Sequence, residues 1–256
     1  MNEEVLTGGT VNNVTKMGDT VFRSGGPWIE AVHATLNRLE AKGFPYSPRV
    51  LGVEVDGREK ISFLPGAAMM RPWRPVMLAK HGPIQAAAML RQFHGATRDL
   101  ILPSETRWRF GNAAKSADQV IRHGDLGPWN TLWEGDRLTG LVDWDLAEPG
   151  FPITDLAQLA YYFIPLRGDR GWREAGFSDA PDYVSRLGAI CEAYGAFRPA
   201  DVINELLSLH SAEARRILQL GKQGRYPWDT WLAGGWIAGI ETDRSWLKRE
   251  LGYLVH

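Results

Sequence analysis

Residues 121–145, IRHGDLGPWNTLWEGDRLTGLVDWD, leave the chain little freedom. Thr131-Leu-Trp, then Glu134-Gly135-Asp136-Arg137, then Leu-Thr-Gly-Leu-Val read as a strand, a glycine-containing turn and a returning strand, which is a β-hairpin pattern. Asp125 and Asn130 precede the hairpin and Asp143 follows it, so the fold-back brings Asp143 to the side of Asn130. A hard cation such as Mg²⁺ prefers oxygen ligands, and one Asn with one Asp leaves room for phosphate oxygens and water. Asp125, one loop turn away, is then placed to act as a base. Asp and Asn are also common turn formers, and a hairpin flanked by them without chemistry is the plainer account of the same residues.

At 256 residues the chain can bury a sizeable core, as one large domain or as two lobes. Its 44% hydrophobic and 23% charged residues are those of an ordinary soluble globular protein, which excludes disorder as an explanation. The 29 basic and 30 acidic residues are mixed along the chain, and a net charge of −1 gives no electrostatic footprint for nucleic acid. The acidic start, Met1-Asn-Glu-Glu4, is unlike a secretory signal, and the apolar stretch 156–166 falls short of the roughly 18 residues of a membrane span. A single cysteine, Cys191, cannot make an intrachain disulfide, so a reduced, cytoplasmic protein with neither nucleic-acid nor membrane partners is expected. Cys191 itself lies in a helical pattern and is expected to be a small buried residue.

The N-terminal part reads as strands around one helix. Residues 5–23 give a strand, a loop with Gly8-Gly9, a strand, the turn Gly18-Asp19 and a third strand that ends at Arg23. Gly8 and Gly9 would let the backbone approach a phosphate, with Asn12 and Asn13 at the loop tip, although Gly-Gly alone is an ordinary turn signal. Pro27 opens a helix over 28–42, with Ile29, Val32, Leu36 and Leu39 on one face and Gly43 beyond its end. Two more strands, over 49–55 and 58–64, are joined by the turn Asp56-Gly57, and Leu64-Pro65-Gly66 ends the second.

The remainder is mainly helical. A helix is expected over 82–100, with His94 a structural histidine, and a polar connection containing a further helix over 101–120. Thr154 is a candidate cap for a helix with Asp155 in its first turn. Three helices are expected over 182–197, 199–222 and 228–254, and the four-residue spacing of Gly235 and Gly239 in the last suits close approach of another element. Trp228, Trp231, Trp236 and Trp246 crowd this end, where packing and a pocket wall are expected. Glu205, Glu213, Asp229, Glu241 and Asp243 suit a solvated helix face better than a cation site. Gly221-Lys222 lacks the preceding glycine of a P-loop.

The order His123-Gly124-Asp125-Leu126-Gly127-Pro128-Trp129-Asn130, followed after a hairpin by Val142-Asp143-Trp144-Asp145, has the spacing of a kinase catalytic loop and its metal-binding Asp. In its H-G-D and V-D-W-D forms it resembles the aminoglycoside phosphotransferase family of small-molecule kinases more than the protein kinases. The resemblance implies an α+β, bilobal protein-kinase-like fold, with a small antiparallel-sheet lobe carrying one main helix and a larger, mostly helical lobe. Residues 1–65 would bind nucleotide, and residues 66–256 would carry catalysis and the acceptor site. The implied reaction is ATP-dependent transfer of the γ-phosphate to a hydroxyl of a small molecule: an aminoglycoside-like antibiotic, an amino alcohol or a sugar.

By resemblance, Asp125 is the catalytic base, Asn130 and Asp143 hold Mg²⁺, and Gly8, Gly9 and Arg23 meet the ATP phosphates. The main chain of Ser62, Phe63 and Leu64 would read adenine, His123 would brace the loop, and Asp155 would support it. The family's helix glutamate, which pairs with the strand cation, has no counterpart here: its place falls near Val32 or His33, and the acids at hand are Glu30 and Glu40. That departure motivates an alternative, a nucleotide-binding protein without transfer activity. A metal-dependent phosphoesterase lacks a second cluster of metal ligands.

Overall fold

The computed structural model describes residues 4–5, 14–112 and 114–255. Gly8 and Gly9, like Asn12 and Asn13, lie outside them. In chain order the elements are β1 (Glu4–Val5), β2 (Val14–Met17), β3 (Thr20–Ser24), α1 (Ile29–Ala41), β4 (Val50–Val53), β5 (Arg58–Ser62), β6 (Ala67–Ala68), α2 (Pro75–Leu78) and α3 (His81–Thr97). There follow β7 (Arg107–Trp108), β8 (Gly111–Asn112), β9 (Val120–Arg122), β10 (Thr131–Glu134), β11 (Arg137–Leu141) and β12 (Glu148–Gly150). The chain continues with α4 (Pro152–Phe163), α5 (Gly168–Ala175), α6 (Tyr183–Tyr194), α7 (Pro199–Lys222), α8 (Trp228–Ala233) and α9 (Trp236–Leu251). This is the bilobal protein-kinase-like α+β fold, with a small antiparallel sheet and one main helix in one lobe and mostly helices in the other. Two compact units divide the chain: residues 1–70 with 89–152, and residues 71–88 with 153–256.

In the first unit, five strands form an antiparallel sheet in the order β1-β2-β3-β5-β4. Gly18 turns β2 into β3 at φ 60°, a left-handed conformation that glycine takes without a Cβ penalty. Helix α1 buries Ala31, Val32, Thr35, Leu36 and Leu39, the face its sequence periodicity indicates. The expected hairpin is present as β10 and β11, with Thr131 opposite Leu141 and Gly135 at the turn with φ 55°. Beyond Leu64-Pro65-Gly66 the chain adds β6 to the hairpin edge, with Leu132 opposite Ala68, and the Thr139 hydroxyl donates to Pro65 O at 3.0 Å. Strand β12 pairs with β9, the strand that leads into the loop of residues 123–130.

The expected helix within 101–120 is absent among the described residues of that stretch; β7 and β8 form a short hairpin instead. Trp108 is buried while Arg107 is exposed, an alternation of strand period that the polar flanks conceal. His94 is buried and its ring packs 5.1 Å from that of Phe93, a structural placement.

The second unit is built from helices. Thr154 does not cap α4: that helix begins at Pro152, and the Thr154 hydroxyl donates to Glu205 on α7 at 2.6 Å. Asp182 caps α6 by accepting from Ser185 N at 2.9 Å. Cys191 is buried, which pushes its thiol up to about 11, with Asp201 adding to the effect. The helix expected over 228–254 is broken into α8 and α9, because Gly235 takes φ 73°. A Cβ on Gly235 or Gly239 would meet no atom within 4 Å, so their spacing does not serve close packing; that role falls to Gly221, where a Cβ would lie 2.7 Å from Trp228 O. Trp228 is buried, Trp231 and Trp236 stack at 4.9 Å, and Trp246 lines a cavity of about 860 Å³ with Tyr183, Arg167 and Asp243. No helix among the described residues is long and apolar enough to cross a membrane.

Candidate active site

The loop of residues 123–130 is held by its first residue. His123 is fully buried, its Nε2 lies 3.0 Å from Val142 O, and its Nδ1 lies 3.3 Å from Asp125 N. A carbonyl can only accept and a backbone N–H can only donate, so the ring donates from Nε2 and accepts at Nδ1. His123 therefore ties the loop to the strand end that delivers Asp143. The Trp144 ring stands edge-on to it at 4.9 Å, and Trp144 Nε1 donates to Leu141 O at 3.0 Å.

Gly124 takes φ 79°, and a Cβ there would lie 2.2 Å from Leu146 O. The H-G-D form follows from this close approach. Asn130 Nδ2 donates to both Asp125 O at 2.9 Å and Asp125 Oδ2 at 2.8 Å, which fixes the half-buried Asp125 carboxylate and points the remaining amide oxygen of Asn130 elsewhere. The hairpin closes on Asn130: Val142 N donates to Asn130 O at 2.9 Å, so Asp143 follows immediately beside it. Asp143 itself is a non-glycine residue at φ 64°, ψ 66°, a sparsely populated conformation of the kind that clusters at functional sites.

Arg23 is buried at 7% exposure and is surrounded by carboxylates. Its Nε pairs with Glu59, its Nη2 lies 3.0 Å from Asp145 and its Nη1 lies 3.7 Å from Asp143. Burial opposes the cation, but Asp145, Glu59 and Asp143 outweigh it and hold the guanidinium above its ordinary pKa. Glu59 is the cross-strand neighbour of Arg23, and its second oxygen lies 2.8 Å from His33 Nε2 on α1. The helix thus reaches the cation through a strand glutamate. Asp145 is shared with Arg109, at 3.5 Å, whose guanidinium lies 4.3 Å over the Trp28 ring at the start of α1. Two arginines occupy Asp145, which leaves Asp143 as the more open carboxylate, with 52% of its side chain exposed.

The Asp143 carboxyl is raised above its ordinary value, by loss of hydration first, then by Asp145; Arg23 opposes the rise and Asp125 adds to it. A site with this carboxylate excess favours a cation. Among the described residues no three His, Cys, Asp or Glu side chains are grouped to hold a metal. The Asp143 carboxylate and the Asn130 amide oxygen are the two candidate oxygen donors on either side of the Val142 N to Asn130 O hydrogen bond, and such a pair would suit Mg²⁺ with phosphate oxygens and water supplying the rest.

Of the residues expected at the adenine, Ser62 N donates to Arg49 O at 2.9 Å and Phe63 N donates to Asp19 O at 2.8 Å. Lys16 Nζ lies 3.8 Å from the Phe63 ring centroid. Asp125, Asn130, Asp143, Arg23 and Ser62 to Leu64 belong to one compact unit. Asp155 lies in the first turn of α4 and is fully buried. Glu59 and Arg109 were not identifiable as site residues from the sequence. The one signal for Glu59 was a carboxylate on the same strand face as Ile61.

Fold and site together define a small-molecule kinase, a phosphotransferase that takes an alcohol group as acceptor. Residues 105–188 match the model of the phosphotransferase enzyme family. The chain belongs to that family. It is 34% identical over 204 residues to the trifolitoxin immunity protein of Rhizobium leguminosarum bv. trifolii, which covers 77% of this chain and 76% of that one. It is also 35% identical over 91 residues to the viomycin phosphotransferase of Streptomyces vinaceus, 32% of each chain. Among solved structures, a choline/ethanolamine kinase family protein from Mesorhizobium loti shares the fold with a TM-score of 0.60 at 20% identity, over 97% of this chain and 88% of the other. The amicoumacin kinase hAmiN, in complex with AMP-PNP, Ca²⁺ and Ami, does so with a TM-score of 0.64 at 12% identity, over 95% and 88%.

Proposed function

We propose that the protein transfers the γ-phosphate of ATP to a hydroxyl of a small molecule. The observation that carries this reading is the Asp125 carboxylate, oriented by the Asn130 amide on a loop whose hairpin sets Asp143 beside Asn130. Asp125 accepts the hydroxyl proton as the acceptor oxygen bonds to phosphorus, and the bond from phosphorus to the ADP oxygen breaks. Arg23, with Gly8 and Gly9, steadies the phosphates. Asn130 and Asp143 would hold Mg²⁺, which supplies charge neutralisation at the phosphate oxygens when bound. Because the N–H groups of Ser62 and Phe63 are engaged within the protein, adenine would be met by Leu64 and the carbonyls of this segment. In this reading residues 1–65 bind nucleotide and residues 66–256 carry the catalytic loop and the acceptor site, in the cytoplasm.

The acceptor class comprises aminoglycoside-like antibiotics, amino alcohols and sugars. One relative is named for immunity to trifolitoxin and another for phosphotransfer to viomycin, which favours an antibiotic over an amino alcohol. The test is an acceptor panel with Mg·ATP, read by mass for phosphate gain, that includes trifolitoxin, viomycin, kanamycin and choline. Wild-type protein is expected to phosphorylate at least one acceptor. Asp125→Asn should lower turnover on it by about 10²-fold or more with Mg·ATP affinity retained. Wild-type turnover by Asp125→Asn would sink the assignment of the base.

A further inference from the structure

We propose that Glu59 and His33 are positioning residues for the phosphate-facing edge of Arg23. The inference rests on the reading that Arg23 meets the nucleotide. A guanidinium is a planar fork whose usefulness depends on which edge faces the ligand. Glu59 binds the Nε of Arg23 and leaves both terminal nitrogens directed toward Asp145 and Asp143. The register of the sheet makes this possible, since Arg23 and Glu59 are directly opposite on β3 and β5 and so project from the same face.

Glu59 is in turn held by helix α1. Its other oxygen accepts from His33 Nε2 at 2.8 Å, and the carboxylate is 1% exposed. Both carboxylate oxygens are thus engaged, one by the cation and one by the helix. A buried carboxylate engaged at both oxygens cannot turn without breaking either its ion pair with Arg23 or its charge-assisted hydrogen bond from His33. The helix residue that completes the arrangement is a histidine, and the carboxylate comes from a strand that is not adjacent in sequence. A chain with a helix glutamate would link cation to helix in one step; this one uses two.

The experiment measures Mg·ATP affinity by calorimetry and the slow acceptor-free hydrolysis of ATP, on the full chain. Glu59→Gln keeps the shape and removes the charge; His33→Phe keeps the ring and removes the donor; His33→Gln restores a donor to Glu59. Glu59→Gln and His33→Phe are expected to weaken Mg·ATP binding about tenfold, the scale of one charged hydrogen bond. His33→Gln should recover most of that loss, which a merely structural role for the ring would not give. The hydrolysis rate at saturating Mg·ATP should change by less than the affinity. Should Glu59→Gln fail to fold, His33→Phe leaves the Arg23–Glu59 pair in place and is read alone. Wild-type affinity in folded Glu59→Gln or His33→Phe protein overturns the inference while leaving the kinase reading intact. Unchanged affinity in Arg23→Ala, or no Mg·ATP binding by wild-type protein, refutes the reading of Arg23 and the inference with it.

Discussion

Gly124 shows how one residue constrains the site. Its φ of 79° and the 2.2 Å approach that a Cβ would make to Leu146 O leave no room for a side chain. Gly124→Ala is expected to lower stability by about 2–4 kcal/mol, since neither strain nor clash can be relieved without moving the backbone. Thermal melts would measure this, and a variant with an unchanged melting temperature would contradict the geometry. The candidate site residues visible in the sequence are those whose type suits the proposed chemistry: Asp125, Asn130 and Asp143 stand in a fixed order around a hairpin, and the hairpin has a local turn signal. Glu59 was not visible, because its role depends on β5 pairing with β3, and two strands separated by a helix and a further strand announce no register. Arg109 was hidden for a related reason, since its partner Asp145 lies 36 positions away.

At the scale of elements, local signals were legible where they were self-contained. Pro199 opened α7, and the Gly18-Asp19 and Asp56-Gly57 turns separated strands where expected. The break between α8 and α9 was not, because Gly234-Gly235 inside an apolar helical pattern can be tolerated or can end the helix, and only the left-handed Gly235 decides. Nor could the sequence mark Arg186 as a cap. This α6 residue is 5% exposed and donates to Met77 O, Leu78 O and Ala79 O, at 2.7, 2.8 and 3.0 Å, at the end of α2. Arg186→Met keeps the bulk and strips three carbonyls of their donor, so a loss of about 2–4 kcal/mol is expected in chemical denaturation. Equal midpoints for the two proteins would exclude the capping role.

Helix α7 supplies a pH dependence. His210 is 5% exposed, and among the described residues neither ring nitrogen has a hydrogen-bond partner; the Tyr161 ring lies edge-on at 4.6 Å. Burial lowers its pKa from 6.5 to about 4, and Arg244 and Arg167 push the same way. The folded chain therefore keeps the ring neutral at pH values where the unfolded chain protonates it. Stability is complete above about pH 6.5 and falls as pH drops toward about 4, by up to roughly 3 kcal/mol. His210→Phe should flatten the fall over that window in melts recorded against pH, and an identical slope in the variant would remove His210 as its source.

At the scale of the whole molecule, the proposed nucleotide and cation ligands all belong to one of the two compact units, while His210 belongs to the other. A ligand that binds only the folded state stabilises it by about 2.7 kcal/mol at a hundredfold excess over its Kd, so Mg·ATP should raise the melting temperature by several degrees. In the proposed reading the carboxylates around Arg23 make a cation necessary for nucleotide binding. Loss of hydration first, then Asp145 and Asp125, already raise the Asp143 carboxyl against the opposing Arg23, and nucleotide phosphates without a cation would add like charge to that site. Excess EDTA should therefore remove the shift that ATP produces. Asp143→Asn should remove most of it with Mg²⁺ present, whereas Asp125→Asn should keep it, because Asp125 faces the acceptor hydroxyl in this reading. Where the two units melt in separate steps, Mg·ATP should move the step of the unit containing Arg23, Asn130 and Asp143, and acid should move the step that His210→Phe protects. A nucleotide shift that survives both EDTA and Asp143→Asn would place the phosphates away from this carboxylate cluster, and the assignment of Asn130 and Asp143 as cation ligands would fall with it.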